Sequence, residues 1–206
     1  MSFRKEEKLK IHKNRITDLL SWVYDNGGTE LYRPRIVSST YFDNDNLTMF
    51  KDSEEGSIPR KKIRVRSYNQ EKHNQESSSL EIKTSSIEGR HKTTSRDFNI
   101  KKILSLGFFD HDYGICKPQV RVTYKRSYYK VLNIRLTIDQ NIEYTFVKNG
   151  LDSPHRVLDT EIAVELKAPN NVSTEYLNHH FPYERIRFSK YSRAINCLTQ
   201  NNSVIY

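Results

Sequence analysis

Apolar and polar side chains alternate with a period of two along most of this chain. In Lys62-Ile-Arg-Val-Arg-Ser-Tyr68, the residues Lys62, Arg64, Arg66 and Tyr68 fall on one side, and Ile63 and Val65 on the other. Leu80-Glu-Ile-Lys83 sets Glu81 and Lys83 against Leu80 and Ile82. Asn133 to Asp139 sets Arg135, Thr137 and Asp139 against Ile134, Leu136 and Ile138, and Leu158 to Lys167 sets Glu161, Glu165 and Lys167 against Ile162, Val164 and Leu166. A strand turns successive side chains to opposite faces, so this pattern predicts strands with one apolar and one charged face. Gln119 to Val131, rich in Val and Tyr, adds a long strand. Gln140-Asn141, between two such runs, predicts a tight hairpin turn without the Gly that these turns favour.

Helical spacing is rarer. Lys13 to Trp22 places Ile16, Leu19 and Leu20 on one stripe, with Gly27-Gly28 beyond it. Asn99 is positioned to cap a helix over 100–106 that stops at Gly107. Ser173 to His180 and Ser189 to Leu198 are further candidates, and Asp43 to Pro59 predicts an irregular segment with one short helical turn. The polar stretch 69–79 predicts a long hairpin loop. No repeat of solenoid length occurs. The sum is one domain over 1–206, α+β in class but mainly antiparallel β, with a few peripheral helices.

Composition narrows the partner. The chain has 206 residues, 34 Lys+Arg against 25 Asp+Glu, and a formal charge of +9. Such a balance suits an anionic partner. With 13 Tyr and 9 Phe it is too aromatic for a disordered chain. No apolar run approaches the roughly 20 residues of a membrane helix. The two cysteines, Cys116 and Cys197, lie far apart, which argues against a disulfide framework or a thiolate metal site and fits a reducing, cytoplasmic setting. His179-His180 have no third ligand at metal spacing and read as a helix terminus. Tyr128 and Tyr129 read as packing residues.

A half-solvated sheet is the simplest use of charged faces. Here, however, Arg and Lys recur strand after strand with single acids and aromatics among them. A closed antiparallel barrel offers an alternative: an apolar exterior under helices and a polar, basic lumen. Empty, such a lumen is costly. A ligand with many phosphate oxygens offsets the repulsion, with Arg supplying forked hydrogen bonds and Lys concentrated charge.

Eight segments, in order, resemble the catalytic domain of the vacuolar transporter chaperone family, a CYTH-like group of triphosphate tunnel metalloenzymes. They are Arg4-x-Glu6-x-Lys8-Leu9, Ser38-Ser-Thr-Tyr-Phe-Asp43, Lys62-x-Arg64-x-Arg66-x-Tyr68, Leu80-Glu-Ile-Lys83, Tyr124-Lys-Arg126 with Tyr128, Arg135-Leu-Thr-Ile-Asp139, Val164-Glu-Leu-Lys167, and Phe188-Ser-Lys-Tyr191. Each is short; their collinear order is what carries the resemblance. It implies a closed eight-stranded β-barrel tunnel and a polyphosphate polymerase that transfers the γ-phosphoryl group of ATP to a growing polyphosphate chain. It implies catalytic roles for Arg64, Arg66, Lys83, Arg126 and Lys190, and phosphate-binding roles for Lys8, Lys62, Lys92, Arg135, Lys167, Arg187 and Ser189. It further implies Mn²⁺ or Mg²⁺ on Glu165. ATP and polyphosphate are the implied partners; nucleic acid is not, and membrane coupling would need a separate protein. Arg187 stands where the family has a lysine. Lys92-Thr-Thr94 stands where it has a Lys-x-Arg pair, with the next arginine only at Arg96.

Alternatives remain open beside the polymerase. A non-catalytic triphosphate- or polyphosphate-binding module would tolerate Thr94. A tunnel-fold triphosphatase would use more carboxylates than an opening strand with Arg4 at its head supplies. A nucleic-acid binder would show one exposed basic stripe. For Arg4, Lys62 and Lys92, plain solvent exposure is the competing reading.

Overall fold

A computed structural model describes residues 4–69, 75–181 and 183–202. Their elements are β1 (Arg4–His12), a 3₁₀ turn (Lys13–Arg15), α1 (Ile16–Asp25), β2 (Thr29–Asp43), α2 (Thr48–Glu55), β3 (Arg60–Tyr68), β4 (Ser78–Ser86), β5 (Gly89–Ser95), α3 (Ile100–Leu106), β6 (Phe108–Asp110), β7 (Gly114–Val131), β8 (Ile134–Lys148), β9 (Leu151–Leu158), β10 (Glu161–Pro169), α4 (Thr174–His180) and α5 (Lys190–Asn202). The class is as expected: antiparallel strands dominate. The residues fall into two compact units, one drawn from Met1–Arg35, Tyr124–Ile142 and Asp159–Phe188, the other from Ile36–Thr123, Glu143–Leu158 and Ser189–Tyr206.

In the first unit β10 lies between β1 and β8, with Lys8 opposite Glu165 and Glu165 opposite Thr137. The period-two apolar positions converge as expected. Leu9, Ile11, Ile162, Val164, Leu166, Leu136 and Ile138 form one buried layer. Leu19 and Val23, one turn apart on α1, close over it together with Leu177 of α4 and Phe181. Trp22 packs on Phe181 with ring centroids 4.6 Å apart. A core of this size removes enough apolar surface from water to offset a modest hydrophobic fraction.

In the second unit the order is β2, β3, β4, β5, all antiparallel. Ile63 and Val65 are fully buried on one face of β3. Asp43 ends β2 and fixes the start of α2: its carboxylate accepts the backbone N–H groups of Met49 (3.0 Å) and Phe50 (2.9 Å). Tyr191 of α5 donates to the same carboxylate at 2.6 Å and stacks on Tyr41 at 5.4 Å and 20°.

Three expectations are corrected. The closed eight-stranded barrel is replaced by an open order of eight strands with ends at β1 and β5, to which β6 adds on β7 and β9 on β8. At β1 the reason is local. Its outer edge is taken by residues 184–186, where Lys10 N–H donates to Glu184 C=O (3.0 Å) and Ile186 N–H to Lys8 C=O (2.9 Å). Strand β5, Gly-Arg-His-Lys-Thr-Thr-Ser, is blunted instead by exposed cationic side chains. Second, Gln140-Asn141 is not a turn: β8 runs through it, with Asn141 at φ +51°. The reversal lies at Leu132-Asn133, whose φ values of +50° and +60° suit the mirror-image turn that matches strand twist. Third, the helical turn expected within 43–59 is an eight-residue helix, α2. The cap and stop of α3 are as expected: Asn99 accepts from Lys102 N–H at 2.9 Å, and Gly107 has φ +92°. Of the expected loop over 69–79, residues 70–74 lie outside the described residues, and β4 begins at Ser78.

Candidate functional site

In the second unit, register turns a pattern into a cluster. Tyr41 lies opposite Arg64 and Ser39 opposite Arg66. Arg64 lies opposite Glu81, and Lys62 opposite Lys83. Lys83 in turn lies opposite Lys92, and Glu81 opposite Thr94. Lys62, Arg64, Arg66, Glu81, Lys83 and Lys92 therefore share one face. One rung of it is lysine on three successive strands, an arrangement that costs energy unless anions meet it.

Glu81 is the one carboxylate on this face of β3, β4 and β5. It is 3 % exposed and gathers three cations. Its oxygens accept from Arg64 Nε at 2.7 Å and Lys92 Nζ at 2.5 Å, with Arg66 Nη1 at 3.7 Å. Burial acts to raise its pKa, but the Arg64 and Arg66 charges and its hydrogen bonds outweigh that and hold it at about 2. Arg66 Nε also donates to Ser39 Oγ at 3.1 Å.

Arg64 Nη1 donates to the buried Tyr41 hydroxyl at 3.1 Å. Burial raises that phenol's pKa, yet Arg64, Arg66 and Lys190 pull it down to about 7. Lys62 Nζ donates to Ser189 Oγ at 2.8 Å, and the same Oγ accepts Ser192 N–H at the start of α5. Lys190 is half-buried and Lys83 exposed. Lys92 stays 44 % exposed although paired, so plain surface charge does not describe it.

The first unit holds a second group. Lys8 lies opposite Glu165, and Glu6 opposite Lys167, which lies opposite Arg135. Lys167 Nζ sits 3.0 Å from Glu165 and 3.9 Å from Glu6. Burial pushes Glu165 up, but the charges of Lys167, Arg126 and Lys8 bring it down to about 2. Arg126 grips Asp139 with both ends of its fork, at 2.5 and 2.7 Å, and lies 5.3 Å from the Tyr124 ring centre. Lys8 Nζ donates to Phe188 C=O at 2.7 Å. Arg135 lies 5.6 Å from the ring centre of Tyr128. Arg187 is exposed.

The sequence-derived residues thus divide between the two units, Lys62, Arg64, Arg66, Lys83, Lys92, Ser189 and Lys190 in one, and Lys8, Arg126, Arg135, Glu165, Lys167 and Arg187 in the other. The alternation suggests that Glu81 pairs with neighbouring cations on its face, as it does; Tyr41 as a partner of Arg64 was missed, as was the number of cations that Glu81 gathers. Both stand in quoted motifs, but their partners depend on register. Burial pushes the Cys116 thiol up to about 12, which leaves it inert as a nucleophile. Among the described residues no group of three His, Cys, Asp or Glu side chains could hold a metal, and no helix is long and apolar enough to cross a membrane.

The family model described as VTC domain matches residues 3–199. No curated protein matches the chain. Among solved structures, a candidate adenylate cyclase from Vibrio parahaemolyticus is 15% identical with a TM-score of 0.53, covering 95% of this chain and 98% of that one. A candidate adenylyl cyclase from Hippeastrum, described as having a dominant triphosphatase activity, is 14% identical with a TM-score of 0.50, covering 95% of this chain and 96% of that one. These two likenesses are of fold.

Proposed function

The chain belongs to the VTC domain family, and on that premise we propose that it is a phosphoryl transferase, a polyphosphate polymerase that moves the γ-phosphoryl group of ATP onto a growing polyphosphate chain. The observation that carries this reading is the face shared by Lys62, Arg64, Arg66, Lys83 and Lys92 around a single carboxylate. Phosphoryl transfer asks for positioning and for cations around the transferring group, and for little covalent work by the protein. Arg64 and Arg66, fixed by Glu81, Tyr41 and Ser39, present guanidinium forks in a set geometry. Lys62, Lys83 and Lys92 supply point charge along the adjoining rung, and Lys190 opens α5 beside Tyr41.

Glu165 would supply one hard oxygen donor to an Mg²⁺ or Mn²⁺ ion whose remaining ligands are water and substrate phosphate, and Lys167, 3.0 Å away, would give up its place at that carboxylate when the ion binds. Such an ion would neutralise the charge of phosphate oxygens that it binds. Without the ion, Lys167 holds Glu165 in place and compensates its charge.

The purified chain, given ATP and Mn²⁺, is expected to form acid-labile polymer. Arg66→Ala is expected to cut the rate by about 10²–10³, the usual loss for one preorganised donor. Release of inorganic phosphate without polymer would replace the reading with a triphosphatase. Tight pyrophosphate binding without turnover would replace it with a binding module. One observation favours the latter: Thr94, where the family resemblance expects an arginine, stands directly opposite Glu81.

A further inference from the structure

The first unit carries a group of rings and guanidiniums that the proposed transfer does not use. Tyr32 of β2 is 52% exposed. Its ring meets buried Tyr128 of β7 edge-on, with centroids 5.5 Å apart at 89°. The Arg35 guanidinium lies over both rings, 5.5 Å from the centre of Tyr32 and 5.8 Å from that of Tyr128. Arg135 approaches Tyr128 as well, and its buried Nε has no hydrogen-bond partner. Packing accounts for Tyr128, which is 5% exposed. It does not account for Tyr32 and Arg35, which lie in a run of β2, residues 29–36, that is exposed throughout.

An accessible tyrosine with a planar cation beside it is suited to stacking a heterocyclic base, because every base has a π-face and Arg adds a cation–π contact. The group also continues into charge. Arg135 lies directly opposite Lys167, which contacts Glu165 in the same unit. A ligand that engages both ends is planar and aromatic at one and anionic at the other.

We propose that Tyr32 and Arg35, backed by the buried ring of Tyr128, form a nucleobase platform that seats the base of a nucleoside triphosphate, with Arg135 continuing the contact toward its phosphates. This site rests on the triphosphate reading above and deepens it, since it selects a nucleotide over bare polyphosphate as donor.

Calorimetric titration of the full chain with a non-hydrolysable ATP analogue and with tripolyphosphate, at one salt and metal concentration, tests it. In Tyr32→Ala the ratio of nucleotide to tripolyphosphate affinity is expected to fall about tenfold, the scale of one lost stacking contact. Arg35→Ala is expected to lower the ratio by about threefold to fivefold, and Tyr32→Phe to preserve it. Undiminished tripolyphosphate binding in each variant reports that the fold is intact. An unchanged ratio in Tyr32→Ala, or parallel loss of both ligands, overturns the platform and leaves the triphosphate reading standing. Failure of the unaltered chain to bind either ligand overturns both.

Discussion

The two charged clusters are built from the same strand grammar and end in opposite electrostatic states. In the first unit Arg126 is matched by Asp139 and Lys167 by Glu165, so most of the charge is compensated from within. In the second, Glu81 is shared by Arg64, Arg66 and Lys92, and Lys62 and Lys83 lie on the same face, so cations outnumber the carboxylates that strands β3, β4 and β5 place there. Alternation decides which face is charged. The number of acids placed in register decides whether that face is self-sufficient or requires an anion. A polyanion should therefore stabilise the second cluster far more than the first.

The largest expected effect tests the self-sufficient side. Asp139→Ala strands the Arg126 guanidinium, which is largely buried, and is expected to cost about 3–5 kcal/mol in denaturant unfolding, with tripolyphosphate adding no more stability than it adds to the unaltered chain. A gain from tripolyphosphate larger than that of the unaltered chain would erase the distinction between the clusters. Glu81→Gln comes next, with an expected loss of about 1–3 kcal/mol that tripolyphosphate largely restores, because the ligand's oxygens substitute for the missing charge. A melting curve with and without the ligand reads this directly, and an unrestored loss would make Glu81 a purely structural hub.

The pH dependence is intermediate in size. Glu81 and Glu165 fold with pKa values held at about 2, below their ordinary 4.5. A depressed carboxylate favours the folded state above its unfolded value. This contribution is full above about pH 4.5 and drains away as pH falls toward 2. Tyr41 behaves alike higher up: its phenol, at about 7 against an ordinary 10.0, adds stability as pH rises from 7 to 10. Ultraviolet difference absorbance should show a phenolate appearing near pH 7, shifted upward in Arg64→Ala and absent in Tyr41→Phe. The smallest effect belongs to the lysine rung. Lys83→Ala is expected to stabilise the ligand-free chain by about 0.2–1 kcal/mol, since it removes like charges set opposite one another, while it weakens tripolyphosphate binding several-fold. Destabilisation instead would show that the rung carries no repulsion.

The sequence by itself determined the faces. Ile63 and Val65 against Lys62, Arg64 and Arg66, and Val164 and Leu166 against Glu165 and Lys167, follow from the geometry of a strand, which acts over two residues. It also determined the ends of α3, because Asn99 and Gly107 act within one turn. Tertiary structure decided the rest. The reversal at Leu132-Asn133 in place of Gln140-Asn141, the covering of β1 by residues 184–186, and the choice of Glu81 as hub each depend on which residues end up opposite one another. Arg64 meets Glu81 across 17 positions of chain and Lys62 meets Ser189 across 127. A one-residue slip of β3 against β4 would send every side chain of the slipped strand to the other face, so register, a property of the whole sheet, converts a row of basic residues into a site.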